Sequence, residues 1–100
     1  MINWGIIGLG NIANSFAEAI REISDCQLKG IASLNKSKLS IFGEKYNIDK
    51  KYRFNSYDEL INSDQIDAIY VATLNNTHKD LIIKSIDAKK NILCEKPITI

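Results

Sequence analysis

Scarcity sets the first bounds on this 100-residue chain. It holds one proline, one histidine, one tryptophan and two cysteines. Cys26 and Cys94 lie far apart and show neither C-x-x-C nor mixed Cys/His spacing, so no disulfide framework or metal site is expected from them. Free, reduced thiols are the expectation. No apolar run approaches the ~18 residues that a membrane-spanning helix needs. No basic segment leads into an apolar one at the start, as a secretory signal would require. The expected compartment is the cytoplasm. Charge imbalance is missing as well. Thirteen basic and twelve acidic residues leave a net charge of +1, which offers no field to attract nucleic acid or an anionic membrane. The lysines are scattered, and the adjacent pairs Lys50–Lys51 and Lys89–Lys90 read as solvated turns. There is no repeat, low-complexity tract or linker.

What is present suits one globular domain. Apolar residues make up 45% and charged residues 25% of the chain, an ordinary balance for a packed core of modest size. The segments alternate in type. "NWGIIG" (3–8), "QLKGIAS" (27–33), "YRF" (52–54), "AIYVAT" (68–73) and "NILC" (91–94) read as strands. Helical spacing runs through 11–23, where Ile12, Phe16, Ile20 and Ile23 share a face. It recurs in 37–47, with Leu39, Phe42 and Tyr46, and in 77–88, with Ile82 and Ile86. "SYDEL" (56–60) reads as a helix start, with Ser56 and Glu59 in capping-box positions. The order is β-α-β-α-β-α-β-α-β. Near-continuous apolar strands in strict alternation with helices predict an α/β fold: a doubly wound parallel sheet in three αβα layers, of Rossmann type. Right-handed crossovers then bring every strand's C-terminal end to one edge, where such sheets bind ligands.

"GLGNIA" (Gly8–Ala13) has the form G-x-G-x-x-A and stands between a strand and a helix, the context that this pattern needs. Gly8 permits a tight turn with dihedrals closed to other residues. Gly10 lets a pyrophosphate approach the backbone. Ala13 allows close packing of helix on strand. Free amides and the positive end of the helix dipole would face the phosphates. An NAD site usually adds an acid ~20 residues later, at the end of the second strand. Here that stretch is "ASLNKSK" (32–38), with no carboxylate. Ser33 and Asn35 could bond a ribose hydroxyl or a phosphate, and Lys36 or Lys38 could offset a 2′-phosphate. The cofactor is therefore NADP or NAD, and the electrostatics lean towards NADP. The plainer alternative is that both lysines are solvated residues at a helix start. "YVATLNNTH" (70–78) and "CEKP" (94–97) place further polar groups after two more strands on the same edge.

Taken together, "GLGNIA", "DAIYVATLNNTH" and "NILCEKP" resemble the N-terminal half of the Gfo/Idh/MocA oxidoreductases, the glucose–fructose oxidoreductase and inositol dehydrogenase family. The opening stretch is most similar to the dihydrodiol and xylose dehydrogenase branch. The resemblance implies that Gly8, Gly10, Asn11 and Ile12 cradle the pyrophosphate. It implies that Ser33, Asn35 and Lys38 face the adenosine ribose. Relatives that use NADP often carry Arg directly after the serine, and this chain has Leu34 there. Thr73, Asn75 and His78 match the pattern lining the nicotinamide side, and Leu74 stands where relatives often have proline. Glu95 would sit by the nicotinamide ribose. Lys96 would be the catalytic lysine that meets the substrate oxygen, with Pro97 fixing the backbone behind it.

By the same resemblance the substrate is a small sugar- or polyol-like molecule. The protein would be an NAD(P)-dependent dehydrogenase acting on CH–OH groups, with no nucleic-acid or membrane partner. Residues 1–100 would form its nucleotide-binding domain, incomplete at the C-terminus, because in relatives a helix and a sixth strand normally follow E-K-P. A second, substrate-binding domain would follow, through which the full-length enzyme forms homo-oligomers. The 100 residues alone are then expected to be inactive. The alternative kept open is a non-catalytic dinucleotide-binding module or an inactive truncated form.

Overall fold

The computed structural model describes residues 1–72 and, for the backbone, 91–94. Five strands form one sheet: β1 (Ile2–Ile7), β2 (Cys26–Ala32), β3 (Arg53–Phe54), β4 (Ala68–Val71) and β5 (Asn91–Cys94). Three helices are described with them: α1 (Asn11–Arg21), α2 (Lys36–Lys45) and α3 (Tyr57–Ile61). A single 3-10 turn, Lys50–Tyr52, precedes β3 and shortens the strand expected over 52–54. The helix expected over 77–88 lies outside the described residues.

The strand order is β3-β2-β1-β4-β5, and every neighbouring pair is parallel. The chain steps outward from β1 to β3, then crosses back to add β4 on the other side of β1. That reversal opens a crevice between the C-terminal ends of β1 and β4, the usual ligand position in such sheets. The register aligns the strand ends. Ile7 is level with Ala32 and Val71, Ala32 with Phe54, and Val71 with Cys94. Three further bonds carry the ladder one residue on: Gly8 N–H to Ala32 O (3.0 Å), Ser33 N–H to Phe54 O (3.1 Å) and Ala72 N–H to Ile7 O (2.8 Å).

The two-residue period of the strands divides the core. Ile6, Ile31 and Tyr70 face α1 and α2, packing with Ala13, Ala17, Leu39 and Phe42. Ile7, Ala32, Ile69 and Val71 face the opposite way and pack with Leu60, Ile61 and Ile66. This is the expected three-layer arrangement. Each isoleucine so enclosed contributes about 1.5–3 kcal/mol of burial.

The buried face of α1 departs from expectation. Ile20 is buried, but Ile12 and Ile23 are about half exposed, while Ala13 and Ala17 are fully enclosed. Small residues bring the helix close to the sheet, and Phe16 at the flank stacks on Tyr70 with ring centroids 4.0 Å apart. The outermost isoleucines are left off the contact. The helix also stops at Arg21 rather than at residue 23. α2 buries Leu39 and Phe42 as expected but ends at Lys45, two residues early. Asn47 there takes φ 57°, a left-handed conformation that stops a helix and that asparagine tolerates better than most residues.

Candidate functional site

The turn between β1 and α1 meets the demands read from its glycines. Gly8 has φ 89°, in the region that side chains other than glycine rarely occupy. Gly10 is the N-cap of α1 in extended backbone, φ −96° and ψ −162°. A Cβ placed on Gly10 meets no atom within 4 Å. Neither its conformation nor its packing within the described residues therefore requires glycine. The open space is the feature that suits close approach of a ligand phosphate. Ala13 is fully buried against the sheet.

The helix behind that turn starts without a cap. Among the described residues no side chain accepts from its first amides, and its first turn holds no acid. Asn11 and Ile12, the first two helical residues, are both exposed. An uncapped N-terminus keeps its orphan N–H groups and dipole for an outside anion. Free amides, a helix dipole and room at Gly10 are the features that a dinucleotide pyrophosphate needs.

At the end of β2 the side chains are already occupied. The Ser33 hydroxyl oxygen accepts from the Asn35 backbone N–H at 3.1 Å, and Asn35 Oδ1 caps α2 by accepting from Lys38 N–H at 3.1 Å. Asn55 Nδ2 donates to the Ser33 carbonyl at 2.9 Å. Ser33 is buried at 6% exposure, whereas Leu34, Asn35, Lys36 and Lys38 are exposed. Both expected ribose contacts thus have their oxygens engaged locally. What they retain for a ligand is the serine hydroxyl proton, the asparagine amide N–H groups and one further lone pair on each oxygen. The first turn of α2 carries Lys36 and Lys38 and no acid, an arrangement that the helix dipole disfavours unless an anion is near.

The two turns converge. A cavity of about 170 Å³ is lined by Leu9 and Asn14 on one side and by Lys38, Ile41, Phe42 and Lys45 on the other. It brings Lys38 beside the glycine turn. Thr73, Asn75, His78, Glu95 and Lys96 lie outside the described residues. The strands that lead to them end at Val71 and Cys94, level with one another on the same edge. Among the described residues, no three His, Cys, Asp or Glu side chains gather as a metal site. Nor is any helix among the described residues long and apolar enough to cross a membrane. Cys26 is a free, half-buried thiol.

One group was not anticipated. Asn14, in α1, meets Tyr46 Oη at 2.9 Å and Lys45 Nζ at 3.2 Å, both from the end of α2. The available signal was an asparagine inside a helix, where its propensity is poor without a compensating bond.

The profile of the family described as "Oxidoreductase family, NAD-binding Rossmann fold" matches residues 2–100. The chain belongs to the Gfo/Idh/MocA oxidoreductase family. Its sequence is 38% identical over 97 residues to a trans-1,2-dihydrobenzene-1,2-diol dehydrogenase of Xenopus tropicalis, covering 95% of this chain and 29% of that protein. It is 36% identical over 96 residues to a myo-inositol 2-dehydrogenase of Thermotoga maritima, covering 96% of this chain and 28% of the relative. Its fold superposes with a TM-score of 0.87 on a 3-ketoreductase of Actinomadura kijaniata, solved with TDP-benzene and NADP. The two are 29% identical over 98% of this chain and 30% of that one. The chain thus spans less than a third of the length of the relatives it matches.

Proposed function

We propose that this chain is the cofactor-binding domain of a longer two-domain dehydrogenase. The reaction would transfer hydride between nicotinamide and a CH–OH carbon of a small sugar- or polyol-like substrate. The observation that carries the reading is the uncapped start of α1 behind Gly10, at the point where the strand order reverses. In that reading Gly8, Gly10, Asn11 and Ile12 hold the pyrophosphate. Ser33, Asn35 and Lys38 hold the adenosine ribose. Two lysines and no acid in the first turn of α2 favour a 2′-phosphate, hence NADP over NAD. The dihydrodiol and inositol dehydrogenases among the relatives support an alcohol or polyol substrate. Composition and the lack of an apolar spanning run support a cytoplasmic enzyme, and a following domain would supply the substrate pocket and the contacts of a homo-oligomer.

When bound, the nicotinamide accepts or supplies the hydride. The rest falls to protein groups. Thr73, Asn75 and His78 would line the nicotinamide side, with Glu95 at its ribose. Lys96 would hydrogen-bond the substrate oxygen, stabilise its charge as it develops and take or return its proton. A closed, partly desolvated cleft lowers a lysine pKa towards that use. Two measurements on the full-length protein test this. Nicotinamide fluorescence titrated with NADPH and NADH is expected to show binding of both, tighter for NADPH. Lys96→Ala is expected to reduce turnover of a polyol substrate by ~10²-fold or more with little change in cofactor affinity. Unchanged turnover removes Lys96 from the chemistry, and absence of binding to either nucleotide removes the whole reading.

A further inference from the structure

We infer that Asn14 is a positioning residue for the dinucleotide: held by Tyr46 and Lys45, it fixes the peptide that presents the first free amide of α1. The inference rests on the dinucleotide reading above and adds a part that the glycine pattern does not contain.

The orientation of the Asn14 amide follows from its neighbours. Lys45 Nζ and Tyr46 Oη lie on its Oδ1 side at 3.2 and 2.9 Å, and Nδ2 faces the Gly10 carbonyl at 3.3 Å. An ammonium can only donate and a carbonyl can only accept, so the flipped amide would set donor against donor and acceptor against acceptor. The Tyr46 hydroxyl also lies 3.1 Å from Glu18 Oε2 and 3.3 Å from the Asn14 carbonyl. These three groups accept, so the hydroxyl needs its proton to serve any of them, while Lys45 alongside it can only donate. Burial, followed by the Glu18 contact, pushes the tyrosine pKa above its ordinary value. Lys45 and Arg21 stand over the ring at 5.3 and 5.7 Å from its centroid, holding it in place.

The consequence falls on one peptide unit. The Gly10 carbonyl accepts from the Asn14 backbone N–H at 3.2 Å and from the Asn14 side chain as well. In a planar trans peptide, the Asn11 N–H points opposite to the Gly10 C=O. A carbonyl held along the helix by two donors therefore aims the Asn11 N–H the other way, back past the N-terminal end of α1 on the side of the glycine turn. Glycine at this position leaves the backbone more freedom than any other residue would, so an outside restraint has something to restrain. The tie reaches across to α2, so the pyrophosphate turn and the helix bearing Lys38 are held as one unit.

The test is equilibrium binding of NADPH and NADH to the full-length protein, alongside its thermal midpoint without cofactor. Asn14→Ala is expected to weaken both nucleotides ~5–10-fold. Asn14→Ser is expected to recover most of that loss. A serine hydroxyl reaches the carbonyl four residues back, as Ser15 does to Asn11 O at 3.4 Å in the same helix. Tyr46→Phe removes only a hydroxyl and is expected to weaken binding ~2–3-fold, which keeps the test alive if Asn14→Ala fails to fold. A purely structural role would lower the midpoint and leave affinity unchanged in all three variants, and that result overturns the inference. Failure of the wild-type protein to bind either nucleotide overturns the dinucleotide reading itself, and the inference with it.

Discussion

Two helices begin on the same edge of the sheet, one after β1 and one after β2, and they begin differently. α1 opens on Gly10 with no side-chain cap and no acid. α2 opens on Asn35, whose carboxamide oxygen accepts from Lys38 N–H, with Ser33 accepting from Asn35 behind it. Both helices carry the same dipole and the same orphan amides. Among the described residues, α1 leaves them without a side-chain partner and α2 satisfies part of them internally. α3 takes a third course, with Asp58 and Glu59 in its first turn and no side-chain cap bond. In the proposed reading the difference separates two ways of meeting a phosphate. At α1 the backbone itself would be the recognising surface. At α2 recognition would come from side chains that project beyond a closed cap, chiefly Lys36 and Lys38.

The sharpest way to break this contrast is to give α1 the cap that α2 has. Gly10→Asp places a carboxylate where a Cβ meets nothing within 4 Å. Its oxygen would accept from the amides two and three residues on and complement the dipole. Folding stability should rise by a few tenths of a kcal/mol. Cofactor affinity should fall by ~10²-fold or more, because the carboxylate occupies the amides and repels the pyrophosphate. Thermal unfolding and nicotinamide fluorescence on one sample check both halves. If stability and affinity fall together, the open space at Gly10 is not reserved for a ligand.

A smaller effect is expected at the second helix. Lys38 borders the cavity shared with Leu9 and Asn14, on the side where a 2′-phosphate would lie. Lys38→Ala should lower the NADPH-to-NADH affinity ratio by ~3–10-fold while leaving NADH binding within about twofold, as expected for loss of one charge-assisted contact at an exposed site. A ratio that does not move would assign Lys38 to the solvated face of α2. It would also remove the main support for NADP.

Much of this edge was legible in advance because it is written in backbone requirements. Gly8 must take positive φ, Ala13 must be small, and both follow from a strand turning directly into a helix. The alternating periods also carried the layer architecture, since Ile6 and Ile7 had to face opposite ways. What remained illegible depends on partners distant in sequence. Ile12 and Ile23 matched the apolar period of α1, but the close approach permitted by Ala13 and Ala17 moved the contact away from them. Ser56 and Glu59 had the spacing of a capping box, yet Ser56 makes no cap bond in the structure. The acids of that first turn are placed to offset the dipole without it. Asn14 could not be given a role from its own helix, because the groups that orient it sit more than thirty residues later.

The smallest effect tests the other half of the comparison, the claim that α2 uses its own cap for folding. Asn35→Ala removes the acceptor for Lys38 N–H and should cost about 1 kcal/mol of stability, as for other N-cap asparagines. The amide so released lies at the positive end of α2, beside two lysines and no acid. If a cofactor phosphate is bound nearby, it can accept from that amide directly. The stability lost without cofactor should then be partly recovered when NADPH is present, and less so with NADH. Thermal midpoints measured without nucleotide, with saturating NADH and with saturating NADPH separate these states. A loss of equal size in all three would place Asn35 wholly in the fold, with no part in the ribose site. Recovery confined to NADPH would show that α2, once uncapped, meets an anion as α1 is built to do.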